Sequence, residues 1–286
     1  MHFKRHTEGV YEVREITGSP EIPNLMTREI QEKLGPYNYE EGKPEGLSSP
    51  RKTRGAVEFN NNTVYIGEWA DGVRAGKGRQ IWEDGSIYEG WWRGGMANGG
   101  GRLIHADGDV YEGNWVDDKA QGVGIYTHQD GAKYEGEWVS DKQNGKGQEV
   151  WPDGAMFVGD YVMGKKHGRG VFKWADTSVY EGEFQNNNIH GRGVYQWSDG
   201  RVYEGEWRDN RMHCQGLFKW PDGREYSGEY ADDKKDGFGV FKWPNGRSYR
   251  GYWREGKQHG LGIYVKEGEQ RKGEWASGTR IRWIPE

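Results

Sequence analysis

Residues 180–203 read YEGEFQNNNIHGRGVYQWSDGRVY, and this stretch decides the fold. Tyr180, Gly182 and Phe184 fall at alternate positions. On a strand they share one face, and Glu181 and Glu183 point to the other. Gly191 and Gly193 stand 11 and 13 residues after the tyrosine, and Trp197 comes four residues after the second glycine. Asp199-Gly200 then signals a tight turn, because glycine takes positive φ freely. Tyr203 restarts the pattern 23 residues after Tyr180.

Working outward, the same Y-x-G-x-W unit begins at Tyr65, Tyr88, Tyr111, Tyr134, Phe157, Tyr180, Tyr203, Tyr226 and Tyr249, always 23 residues apart. Trp69, Trp92, Trp115, Trp138, Trp207 and Trp253 close it, and Tyr161, Phe184 and Tyr230 keep a ring where the tryptophan is missing. A degenerate tenth copy runs from Arg271 through Gly273 to Trp275. The second large ring recurs as Trp82, Trp151, Trp174, Trp197, Trp220 and Trp243, with His105 and His128 in its place twice. Cys214 replaces the first glycine of the seventh repeat, where a local bulge or looser packing is expected.

Glycine inside a strand normally weakens it, so its fixed phase implies a packing reason: rings of one strand lying over the bare backbone of the next. The expected fold is all-β, an elongated single-layer antiparallel sheet of tandem 23-residue hairpins, about 20 strands at two per repeat. If Trp197 is fully buried, its truncation to alanine costs roughly 3–5 kcal/mol.

Composition agrees. Only 33% of the 286 residues are hydrophobic and 30% are charged, but 14% are aromatic and 48 are glycine. A few large rings supply the apolar surface in place of many aliphatic side chains. The net charge of −5 disfavours general attraction to nucleic acid or anionic lipid. One cysteine excludes an intrachain disulfide framework and fits a reducing compartment. The start, Met1 to His6, has no apolar signal region, and no apolar run approaches the length needed to cross a bilayer.

The repeat resembles the membrane occupation and recognition nexus, or MORN, repeat: Y-x-G-x-W followed by G-x-G in a 23-residue unit, from about Gly55 to Ile284. The resemblance implies an extended antiparallel β array. MORN arrays occur in junctophilins, in radial-spoke-head and other ciliary proteins, in protist cytoskeletal proteins, and fused to lipid kinases and a lysine methyltransferase. The layout here is most similar to the axonemal and protist members.

Two regions follow: an N-terminal docking segment over 1–52, and the array over 53–286 with nine regular repeats and a basic C-terminal cap. In the first, Met26, Ile30 and Leu34 at i, i+4 and i+8, followed by Gly35-Pro36, predict a short amphipathic helix near 25–34. Val10, Tyr11, Val13 and Ile16 suggest an extended stretch before it. The segment is either a flexible tail or docks on the aromatic face or on a partner. Residues 247–286 carry a net charge of +4 and residues 56–246 carry −9. Arg271, Lys272, Arg280 and Arg282 gather at the C-terminal end, either to blunt an open sheet edge or to meet an acidic surface such as a tubulin tail.

Catalytic patterns fail on inspection. The Gly-Lys-Gly runs at Gly76–Gly78 and Gly145–Gly147 sit within strands and lack the Walker pattern. His167, His190, His213 and His259 recur at one repeat phase, two strands or roughly 9–10 Å apart, too far to share one metal ion. Cys214 has no neighbours arranged for a nucleophile. No catalytic residue, cofactor or metal site is expected. The expected function is a non-catalytic scaffold of the ciliary axoneme or a related cytoskeletal assembly, cytoplasmic, with protein partners that include tubulin-associated ones. Homodimerisation is left open, and a peripheral adaptor for phospholipid headgroups is the alternative.

Overall fold

The computed structural model describes residues 13–47 and 50–285. Val10 and Tyr11 lie outside them. The described residues form 22 strands and one helix, Leu25–Leu34. They fall into two compact units. One holds the chain up to Pro152 together with Val162–Gly164; the other holds Asp153–Tyr161 and everything from Lys165 onward. In each unit consecutive strands pair antiparallel, as tandem hairpins require.

The hairpin Val179–Gln185 with Asn188–Gln196 shows the repeat. Tyr180 pairs with Tyr195 and Gly182 with Gly193; then the register shifts, and Glu183 meets His190. The shift is a β-bulge at Gly191, whose φ of 61° favours glycine. Beyond it Asn186 and Asn187 both have positive φ, the signature of a two-residue type I′ turn. At the other end of the repeat, Trp197 N–H donates to the Arg201 carbonyl across the Ser198–Gly200 loop. Turn chemistry therefore alternates along the chain. Only the Asp-Gly turn stands out in the sequence, because the I′ turns use Asp, Asn, Ser, Met and Glu as well as Gly.

The bulge is common to the hairpins and not peculiar to Cys214. Cys214 adopts the glycine conformation, at φ 52°, with the same register shift beside it. No looser pairing accompanies it: Gly205 still meets Gly216 and Trp207 meets Met212.

Each leading tyrosine lies flat on a glycine pair. A β-carbon on Gly182 or Gly193 would collide with the Tyr180 phenol. The Tyr180 hydroxyl donates to the Glu183 carbonyl at 3.0 Å. Tyr65, Tyr134, Tyr203 and Tyr226 repeat that bond. Trp115 and Trp138 donate Nε1–H to the carbonyls of Gly101 and Gly124, each in the preceding repeat. Tyr111 packs edge-on against its own Trp115 at 5.0 Å and the next repeat's Trp138 at 5.3 Å. These rings thus touch their own repeat and a neighbour, which gives nearest-neighbour stabilisation without a central core.

Candidate interaction surfaces

The sheet has two unlike faces. One carries the rings and glycines. The other carries the residues between them, and there the N-terminal segment is seated within the first unit. The strand Val13–Ile16 pairs with Lys52–Phe59. The helix follows, capped at its start by Asn24 Oδ1, which accepts from the N–H groups of Met26 and Thr27. Gly35, at φ 71°, ends it.

This helix seats its polar edge on the sheet and leaves most of its apolar stripe outward. Met26 and Leu34 are 40% and 43% exposed, Ile30 is half-buried, and Thr27 is fully buried. The floor explains why. It offers turn carbonyls and charges, not apolar side chains, so hydrogen-bonding residues seat best. Thr27 Oγ1 donates to the Gly85 carbonyl at 2.8 Å, and Asn24 Nδ2 to that of Ala106 at 3.0 Å. Gln31 donates to Glu89 at 2.7 Å and accepts from Arg79 at 2.8 Å. Arg102 holds Glu89 at 2.8 Å, with both side chains almost fully buried, and also reaches the Gly35 carbonyl at 2.6 Å. Docking is therefore in cis and on the face opposite the ring ladder.

Past the helix the chain continues as an extended strap. Tyr39 donates to the Gly78 carbonyl at 3.2 Å, Trp91 Nε1–H to that of Glu41 at 3.0 Å, and Gly100 N–H to that of Gly42 at 2.7 Å. Lys77 Nζ lies 5.6 Å from the ring centres of both Tyr39 and Trp91. Burial pushes the Tyr37 phenol up to about 12.

The C-terminal cations do not form one cluster. Arg271 and Arg280 lie against Trp283, at 5.9 and 4.3 Å from its ring centre. Lys272 and Arg282 belong to the opposite face, where Arg282 pairs with Glu274 at 2.7 Å.

The second tryptophans divide. Trp82 is buried, whereas Trp174, Trp197, Trp220 and Trp243 are half-buried. Trp197 leans on Tyr195 at 4.4 Å and Phe218 at 5.3 Å. It is part of a continuous slanted row of rings in the second unit, from Phe172 to Trp243.

Outside the strap, one polar cluster ties a loop together. Asp109 accepts from the Tyr126 hydroxyl at 2.6 Å and the Gln129 N–H at 2.9 Å, and His128 Nδ1 lies 3.1 Å away. Its partial burial works against ionisation, but the Tyr126, Gln129 and His128 contacts together hold the carboxyl below its ordinary value. Among the described residues no group of three or more His, Cys, Asp or Glu is placed to hold a metal ion, and no helix is long and apolar enough to cross a membrane.

The profile of the MORN repeat matches nine times without a missing copy, over residues 65–87, 88–110, 111–133, 134–156, 157–179, 180–200, 203–223, 226–246 and 249–267. The chain is a MORN-repeat protein. MORN repeats are interaction repeats, for proteins or for membranes. No curated protein matches the chain. Among solved structures it is similar to the TCP domain of SAS-4 of Drosophila melanogaster, solved with a proline-rich motif of Ana2. There the identity is 13%, covering 54% of this chain and 85% of that one, with a TM-score of 0.34. It is also similar to the TCP10 domain of CPAP of Danio rerio, solved with a peptide of STIL. That match has 15% identity, covers 82% and 99% of the two chains, and has a TM-score of 0.31. Likenesses of that size carry no argument about this array.

Proposed function

We propose that this MORN array is a non-catalytic scaffold of a cytoskeletal assembly, with the ciliary axoneme as its place. The observation that supports a protein-binding role is the seated strap. The array already holds one segment of its own chain, a helix and the extended strap that follows it, from Asn24 to Gly42, through carbonyls and N–H groups of successive hairpins. A sheet face that receives backbone in this way is suited to receive a partner's backbone as well. The charge of −9 over residues 56–246 works against adhesion of the array to anionic lipid. The axonemal placement rests on the resemblance to arrays of this layout.

Two measurements test the proposal. In detergent-stripped cilia the protein should pellet with the axoneme; its absence from that pellet would overturn the placement. Against vesicles containing phosphoinositides it should stay in the supernatant. Strong, salt-sensitive co-sedimentation would replace the scaffold reading with a phospholipid-headgroup adaptor.

A further inference from the structure

The bulges present a backbone donor, and six of the nine repeats supply its acceptor, in two ways. The N–H of the residue after the first glycine faces away from regular pairing. In five repeats a carboxylate three residues after the leading ring accepts from it: Glu68 for Lys77, Glu137 for Lys146, Asp160 for Arg169, Glu183 for Arg192 and Glu229 for Phe238. Two repeats carry a ring at the carboxylate's position, Trp91 in the second and Tyr252 in the ninth. In the second repeat the strap supplies the missing acceptor, since the Gly42 carbonyl accepts from Gly100 N–H. The strap also covers Trp91, which is only 4% exposed.

The ninth repeat has the same vacancy without the cover. Tyr252 is 54% exposed, and Leu261, the counterpart of Gly100, is 47% exposed. Phe238, which pairs with Tyr252 as Lys77 pairs with Trp91, is 39% exposed. The two exposed rings pack edge-on at 5.6 Å. Beside them Arg250, Ile263 and Lys272 lie opposite one another across three strands of the same face. In the second repeat the corresponding row holds Glu89 between Arg79 and Arg102, so its charges are compensated. Here neither Arg250 nor Lys272 has an ion pair among the described residues, so the row is cationic and apolar.

We propose that Phe238, Tyr252 and Leu261, flanked by Arg250 and Lys272, form a docking site for an extended acidic segment of a partner protein. The segment lays an aromatic side chain on Tyr252 and a backbone carbonyl on Leu261 N–H, as Tyr39 and Gly42 do at Trp91 and Gly100. Its carboxylates meet Arg250 and Lys272. A second copy's strap does not fit this seat. A β-carbon at Gly100 would stand 3.0 Å from Tyr37 Oη and 3.1 Å from Gly42 Cα, and Leu261 carries a whole side chain there. The occupant is therefore a different segment with similar features. The site rests on the protein-binding reading above but not on the axonemal placement.

The test uses the full chain labelled with ¹⁵N-leucine, with the Leu261 amide assigned through Leu261→Ile. The probe is a synthetic peptide alternating glutamate and tyrosine around one glycine; the control replaces each glutamate by lysine. The Leu261 amide should shift saturably with the acidic peptide and stay still with the basic one. Tyr252→Ser and Arg250→Glu, both at exposed positions, should each raise the Kd by about tenfold or more. Absence of a Leu261 shift up to millimolar peptide, equal response to both peptides, or unchanged affinity in Tyr252→Ser would overturn the proposal. So would a dimer of the chain that Tyr252→Ser dissociates. If the peptide fails while the protein pellets with axonemes, only this docking site falls.

Discussion

The phenol of Tyr180 occupies the space that a β-carbon on Gly193 would need. Backbone crowds the glycine beneath the same ring, for the Gly193 Cα closes on any side chain placed at Gly182. The ring is fully buried and its hydroxyl is tied to Glu183, so it has no room to retreat. Gly193→Ala should therefore destabilise the protein by about 3 kcal/mol, the upper part of the overpacking range. Tyr180→Phe, which loses only the hydrogen bond, should cost about 1 kcal/mol. Phe157 already stands over Gly159 and Gly170 without a hydroxyl. Urea melts of the two variants compare them directly, and equal losses would show that the ring can give way to a β-carbon at Gly193.

Trp115 and Trp197 should respond differently to truncation. Trp115 is 1% exposed, sits between two tyrosines and donates to the Gly101 carbonyl. Trp115→Ala should cost roughly 3–5 kcal/mol. Trp197 is half-buried and leans on rings from one side, so Trp197→Ala should cost about 1–2 kcal/mol. Denaturant midpoints with unchanged slopes would report the difference. The sequence displays the period, the strand alternation and the ring-over-glycine logic, because they are local and repeat nine times. It does not display the unequal burial of the two tryptophans, since both follow glycines at strand spacing. The seating of the helix was hidden for another reason. Met26, Ile30 and Leu34 describe the helix's apolar stripe, but its orientation is set by the floor that Arg79, Glu89 and Arg102 build, and these lie far along the chain.

Arg102 should be the residue on which the strap depends. It pairs with Glu89 out of solvent and reaches the Gly35 carbonyl and the Tyr37 ring. Arg102→Met leaves Glu89 buried beside Gln31 and the more distant Arg79, a loss of about 3 kcal/mol. The loss should be local. Amides from Gly35 to Gly46 should exchange faster and the strap should become open to proteolysis, while the hairpins after Tyr111 keep their protection. Replacing Glu89 and Arg102 together by leucine should recover part of the loss, because no orphaned charge remains. Uniform loss of protection along the whole chain would contradict this.

Lys235 carries a pH dependence of unusual sign. Its amine lies within 4.6–5.7 Å of the ring centres of Trp253, Phe241, Tyr226 and Trp220. Burial, with a smaller contribution from Arg224, brings it down to about 8. The unfolded chain holds that proton up to about 10.4, so between these two values it binds more protons than the folded chain. Stability from this residue therefore rises with pH across that window and is lowest, and flat, below it. Met212 fills the same place one repeat earlier, opposite Trp207, which shows that an apolar side chain fits. Lys235→Met should raise stability by about 1 kcal/mol at pH 7, a figure reduced for the half-exposed position. The gain should shrink as pH passes 8 and vanish above roughly 10.5. Thermal melts of both proteins from pH 6 to pH 11 would show the two curves converging. A variant less stable than the parent at pH 7 would mean that the four rings hold the cation more strongly than water does.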